Sequence, residues 1–276
     1  MNNIIVYGIK RTGTSLMTEI LGRIEGYDIN KNTILENNNY YKKLQSYFNE
    51  GIFVNGITNN NYLEYNRLSN NVIKIMNFGL LNTDIKYFDS FKKIIIMNRY
   101  WAHQSLSCNN LECINVDNHF DKIKHIIKDK EQYIRDYKVD DGIEYGYIYS
   151  KLLIDIAKRK YFSKIIILQF ESLFTNPQDT LKILKDSGID ITEGLKLIDE
   201  KQSSYSLSKV KEYNLKEFKP GFFKFLDDLY LSLRRGRIDN NILLSIYKWI
   251  PDMEERIRER DERLKNKYNI VYINTD

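Results

Sequence analysis

The sequence predicts an α/β fold: a central, mostly parallel sheet of about four or five strands, helices on both faces, and a helical C-terminal region. Three observations carry this expectation. The chain opens on a short apolar, β-branched run, Asn3-Ile4-Ile5-Val6-Tyr7, closed by Gly8 and followed by a polar turn and then helical spacing at Leu16, Ile20, Leu21 and Ile24. Apolar runs of strand length alternate with helical stretches as far as about residue 190. Beyond that point only helical periodicity remains.

In chain order, residues 72–76 and 93–97 are strand candidates, with a helix expected over 80–91 between them. A long helix around 143–160 precedes another strand at 165–169. A further helix begins at Asn176-Pro177, where Asn can cap and Pro suits the first helical position. Helical patterns then cover 222–235, 240–249 and 252–268. The last of these is densely and evenly charged, as expected of a solvated face with ion pairs three and four residues apart.

The 276 residues are 42% hydrophobic and 29% charged, which places the chain among globular proteins able to bury a core without disulfides. The net charge of +5 would attract a polyanionic small molecule. No basic stripe with interleaved aromatics appears, so nucleic acid is not an expected partner. There is no apolar stretch long enough for a membrane span, and residues 1–8 run straight into a strand without the features of a signal peptide. With only two cysteines, Cys108 and Cys113, a cytoplasmic protein is the expectation.

The segment Gly8-Ile9-Lys10-Arg11-Thr12-Gly13-Thr14-Ser15 has the spacing of a Walker A phosphate loop, with Thr14 where the loop's lysine would stand. Its glycines allow a tight turn in which successive N–H groups face one anion, and the following helix adds its positive end. Thr12, Thr14 and Ser15 offer hydroxyls; Lys10 and Arg11 offer charge. The missing lysine normally serves the β- and γ-phosphates of a nucleoside triphosphate beside a magnesium ion. A 5′-phosphosulfate has no γ-phosphate, and a basic residue earlier in the loop can meet the bridging oxygen where charge builds as a sulfuryl group leaves. The plain alternative is an ordinary strand-to-helix turn.

Here the chain resembles the sulfotransferases that use 3′-phosphoadenosine-5′-phosphosulfate (PAPS). Their loop reads as a basic residue, Ser or Thr, Gly, Thr, then Thr or Ser, and Arg11-Thr12-Gly13-Thr14-Ser15 matches it throughout; the proline that often precedes it is Lys10 here. That family binds the 3′-phosphate with an Arg at a later strand end and a Ser eight residues on, which Arg99 and Ser107 match. Arg99 could instead pair with a carboxylate, and Ser105 could substitute for Ser107. A third likeness is Phe170-Glu171-Ser172-Leu173 with Pro177, set against a family strand ending Tyr-Glu-x-Leu; Glu171 is read as mainly structural. The segment Lys219-Pro220-Gly221-Phe222-Phe223-Lys224 only faintly resembles the family's closing loop, and its aromatics suit a core.

The resemblance implies a P-loop-like three-layer fold in one domain, 1–276, made of a nucleotide-binding core (1–190) and a helical extension (191–276). It implies PAPS as co-substrate, 3′-phosphoadenosine-5′-phosphate (PAP) as product, no required metal, and a small-molecule or glycan acceptor. The acceptor hydroxyl needs a base. The three histidines, His103, His119 and His125, do not stand where the family's His base would, so Glu36 is the candidate, with a solvated loop glutamate as the alternative. Lys74, among apolar strand neighbours, could reach the sulfonate or the acceptor, or simply occupy an edge strand. Cys108, Cys113, His119 and His125 are too evenly spaced for a zinc site. The competing readings are a kinase-like nucleotide-binding enzyme, which calls for a magnesium-binding carboxylate at a strand end, and a non-catalytic nucleotide-binding protein.

Overall fold

A computed structural model describes residues 3–27, 29, 52–54, 70–76, 83, 91–108, 129–137, 142–158, 162–201 and 217–268. Five parallel strands form one sheet in the order β2-β3-β1-β4-β5: β1 (Asn3–Gly8), β2 (Ile52–Val54), β3 (Val72–Met76), β4 (Phe91–Asn98) and β5 (Ile165–Gln169). Residues 72–76 and 165–169 fall where the sequence places strands. The strand expected at 93–97 extends back to Phe91, so Phe91 is strand rather than the end of the helix expected over 80–91; the rest of that span, Thr83 apart, lies outside the described residues. The short β2 was not foreseen.

The central strand β1 is buried along its whole length, which explains its unbroken apolar run. Alternate residues feed two separate cores. Ile5 and Tyr7 join Tyr145, Tyr149, Leu152 and Leu153 of the helix α4 (Ile143–Lys158) and the C-terminal helices. Ile4 and Val6 join Met17, Ile20 and Leu21 of α1 (Thr14–Leu21), with Leu184 of α6 (Pro177–Asp186). Helices therefore cover both faces, an arrangement compatible with three layers. The remaining helices are α2 over 101–108, α3 (Lys130–Tyr137), the short α5 (Ser172–Thr175), α7 (Lys196–Lys201), α8 (Phe222–Arg235) and α9 (Asn240–Tyr268).

Pro177 does open α6, but Asn176 makes no side-chain cap; its amide donates to the Asp179 carboxylate instead. The patterns at 240–249 and 252–268 form one helix, α9, that runs through Pro251. Proline in a helix interior costs about 3 kcal/mol. Buried Ile246 and Trp249 before it, and Met253 and Ile257 after it, enter the same core and hold both halves in place. Asp239 caps this helix, accepting the Ile242 N–H at 2.9 Å. Its charged face is not wholly solvated: Arg260 is buried against Glu144 of α4, 2.6 Å away, and against Asp261. No described helix is long and apolar enough to cross a membrane.

Candidate functional site

Because β1 and β4 are parallel neighbours, with Tyr7 opposite Ile96, the segments leaving their C-terminal ends emerge side by side. The first is the loop 9–13. Gly8 must lack a side chain: a Cβ there would lie 2.4 Å from the Thr12 hydroxyl and 3.0 Å from the Met97 carbonyl. Gly13 has φ 89°, and its Cβ would lie 2.3 Å from the Phe170 ring. Arg11 also holds a left-handed backbone, φ 67°, which costs a non-glycine residue about 1–2 kcal/mol.

Three successive loop carbonyls have donors. Thr12 Oγ1 donates to Ile9 O at 2.8 Å, Gln104 Nε2 to Lys10 O at 2.9 Å, and Arg99 Nη1 to Arg11 O at 3.1 Å. The buried Tyr149 hydroxyl ties α4 to β4, donating to Met97 O at 2.6 Å. Gly13 at the helix N-cap has no side chain to bond the first N–H groups of α1, which lack partners within the helix. The turn is thus built to present N–H groups and a helix N-terminus.

The second segment begins at Arg99. Behind it, buried Asn98 donates to Gln169 Oε1 (3.0 Å) and accepts from the Tyr145 hydroxyl (2.8 Å), tying β4 to β5 and α4. Arg99 stacks on Phe170, its Cζ 4.6 Å from the ring centre. Phe170 therefore fills the gap between Arg99 and Gly13. Ser107, on α2, accepts a hydrogen bond from Arg11 Nε at 2.9 Å, whereas Ser105 is buried. Tyr100 and Trp101 are both anchored by Asp227 of α8, at 3.0 and 2.8 Å. Burial and that carboxylate push the Tyr100 phenol up to about 12.

Lys74 does not lie on an edge. It sits on β3, between β2 and β1, is 3% exposed, and its Nζ lies 3.0 Å from Ser15 Oγ. A buried ammonium on an interior strand is costly to maintain, and this one is placed at the first turn of α1. Burial would raise the Glu144 carboxyl, but Arg260 and then Lys10 hold it below the ordinary value.

Arg11, Ser15, Lys74, Arg99 and Ser107 therefore come together as the sequence suggested. Thr12 is fully buried with its hydroxyl committed to Ile9, making it a brace of the loop; Thr14 is also buried. Glu171 accepts the Tyr100 N–H at 3.0 Å and lies 3.4 Å from His103. Phe222 is core and Phe223 packs on Trp101, as the core alternative expected. Glu36, Cys113, His119 and His125 lie outside the described residues, and no group of metal-ligating side chains occurs among the described ones. Sequence reasoning missed Gln104 and the wedge role of Phe170; neither lies in a periodic or charged pattern that would single it out. No protein-family model and no curated protein matches this chain.

Proposed function

We propose that the protein is a sulfotransferase on a P-loop-like fold, moving a sulfuryl group from PAPS to a hydroxyl acceptor. The observation that carries this reading is the junction of two anion-binding segments: Arg11 of the glycine loop bonded to Ser107, and Arg99 bonded to the Arg11 carbonyl. One anion-binding pocket at a helix N-terminus would suit many phosphates. Two joined segments, each with an arginine, suit a ligand with phosphate groups at both ends of a ribose.

In this reading the loop N–H groups, Ser15 and Lys74 hold the 5′-phosphosulfate, and Arg99 with Ser107 holds the 3′-phosphate. The acceptor oxygen forms a bond to sulfur as the bond from sulfur to the bridging oxygen breaks, in line, and PAP departs. Arg11 and Lys74 stabilise the charge that collects on the bridging and sulfonate oxygens. The acceptor proton passes to a base, for which Glu36 stays the candidate, and the acceptor is a small molecule or glycan. The described ends of β3 and β4 are Met76 and Asn98, so neither offers the carboxylate that the kinase-like alternative calls for.

Thermal shift with PAP and with magnesium–ATP tests the reading. A ligand at one hundred times its Kd stabilises by about 2.7 kcal/mol, so saturating PAP should raise Tm by several degrees. Stabilisation by magnesium–ATP with no response to PAP would overturn it.

A further inference from the structure

Resting on the sulfotransferase reading, we propose that Phe170 is a positioning residue: its ring holds Arg99 at a fixed place beside the loop, so that the site selects a phosphate on the 3′ rather than the 2′ carbon of the ribose. The register of the sheet puts the ring there. Asn98 and Gln169 are the last paired positions of β4 and β5, and the Phe170 N–H still donates to Asn98 O at 2.7 Å. Arg99 and Phe170 are therefore neighbours one residue further on, turned to the same face of the sheet. On that face Phe170 packs against the core that includes Met17 and Leu21 of α1.

The ring is held from several sides. Its Cδ2–Cε2 edge lies against Gly13, where a Cβ would come within 2.3 and 2.8 Å of those two atoms. Phe174 meets it in a T-shaped contact, with 5.1 Å between ring centres. The Arg99 guanidinium lies over the ring, Cζ 4.6 Å from its centre, and Nη1 donates to Arg11 O at 3.1 Å. Ring and carbonyl together set where the guanidinium stands and which way its other N–H groups face. A long, flexible cation can follow a phosphate to several places, whereas a clamped one favours the ligand that already fits. With the 5′ group seated at the N-terminus of α1, moving the second phosphate from the 3′ to the 2′ carbon carries it off the line of those N–H groups. Charge-assisted hydrogen bonds of about 2.7–2.9 Å do not stretch to follow it.

Isothermal titration calorimetry on the full chain tests this with PAP, adenosine 2′,5′-bisphosphate and adenosine 5′-phosphate, the last of which lacks a second phosphate. The native protein should bind PAP about tenfold more tightly than the 2′,5′ isomer. Phe170→Leu keeps an apolar side chain but removes the ring face, and should lower that preference about fivefold. Phe170→Met serves the same purpose if the leucine variant does not fold, and Phe170→Tyr, which keeps the ring, should keep the preference. Both bisphosphates carry the same 5′ group, so any loosening of the loop itself cancels in their ratio. In an Arg99→Met background Phe170→Leu should change the ratio no further, because the ring acts through Arg99. Three results would overturn the role of Phe170 alone: a ratio unchanged in Phe170→Leu, a ratio that falls as far in Phe170→Tyr, or a native protein that prefers PAP to adenosine 5′-phosphate yet binds both bisphosphates alike. A native protein that binds PAP no better than adenosine 5′-phosphate would instead overturn the donor reading on which it rests.

Discussion

The loop after β1 and the segment after β4 emerge side by side, yet they are held in place by different means. The loop is shaped by its backbone: Gly13 and Arg11 are left-handed, and carbonyls 9, 10 and 11 each accept a hydrogen bond. The second segment has no positive φ among 99–108 and is fixed by side chains reaching β5 and α8, through Glu171, Phe170 and Asp227. A strained backbone holds its N–H groups in one arrangement and tolerates little change. A segment anchored by side chains can lose one contact at a time without losing the fold.

That contrast breaks most sharply at Gly13. Gly13→Ala meets both the left-handed backbone and the Phe170 ring, and should destabilise by about 3 kcal/mol, read as a Tm drop of roughly 6–12 °C. Adding Phe170→Ala should restore part of the loss, because one of the two obstacles is gone. Simple additivity of the two changes would show that Phe170 does not brace the loop.

Lys74→Met probes the buried cation. Removing an ammonium from an interior strand should leave Tm unchanged or raise it, while PAPS binding weakens about thirtyfold, with PAP affected less because it lacks the sulfonate. A large fall in Tm with PAPS affinity intact would mark Lys74 as a structural residue. Arg99→Met removes one side chain of the anchored segment together with its bond to the Arg11 carbonyl. PAP should bind about tenfold more weakly and adenosine 5′-phosphate nearly as before, by calorimetry; equal losses would place the 3′-phosphate elsewhere.

The smallest effect concerns the link from α9 to the loop. The Glu144 carboxyl is held below its ordinary value, so its stabilisation is complete above the unfolded value and is lost as pH falls through the lowered folded one. Glu144→Gln should therefore flatten the acid limb of the Tm–pH curve below about pH 4.5. Solvent screening at its partly exposed edge keeps the change below about 1 kcal/mol. An identical acid limb would show that Arg260 draws nothing from this pair.

Much of this site was legible because its parts are local. Gly8, Gly13, Thr14 and the apolar runs on either side announce a strand, a turn and a helix within about twenty residues, and Arg99 follows a strand that its own pattern reveals. Lys74 was legible only as an oddity. Whether a lysine in an apolar strand is on an edge or inside a sheet depends on strand order, which no local pattern records. The cap at Asn176 failed for a similar reason: its amide found the Asp179 side chain, a competition that residue type does not decide.

By itself, then, the sequence determined the alternation of strands and helices, the turn at Gly8–Ser15 and the helical C-terminal region, since periodicity and turn chemistry act over a few residues. Only the tertiary structure decided that β3 is interior, that Phe170 separates Arg99 from Gly13, that Arg11 meets Ser107 and that Arg260 is buried on Glu144. Those contacts join residues roughly 70 to 160 positions apart, Arg99 to Phe170 among the nearest and Gly13 to Phe170 the farthest. Their formation depends on which strands lie side by side, an outcome of packing both faces of the sheet at once.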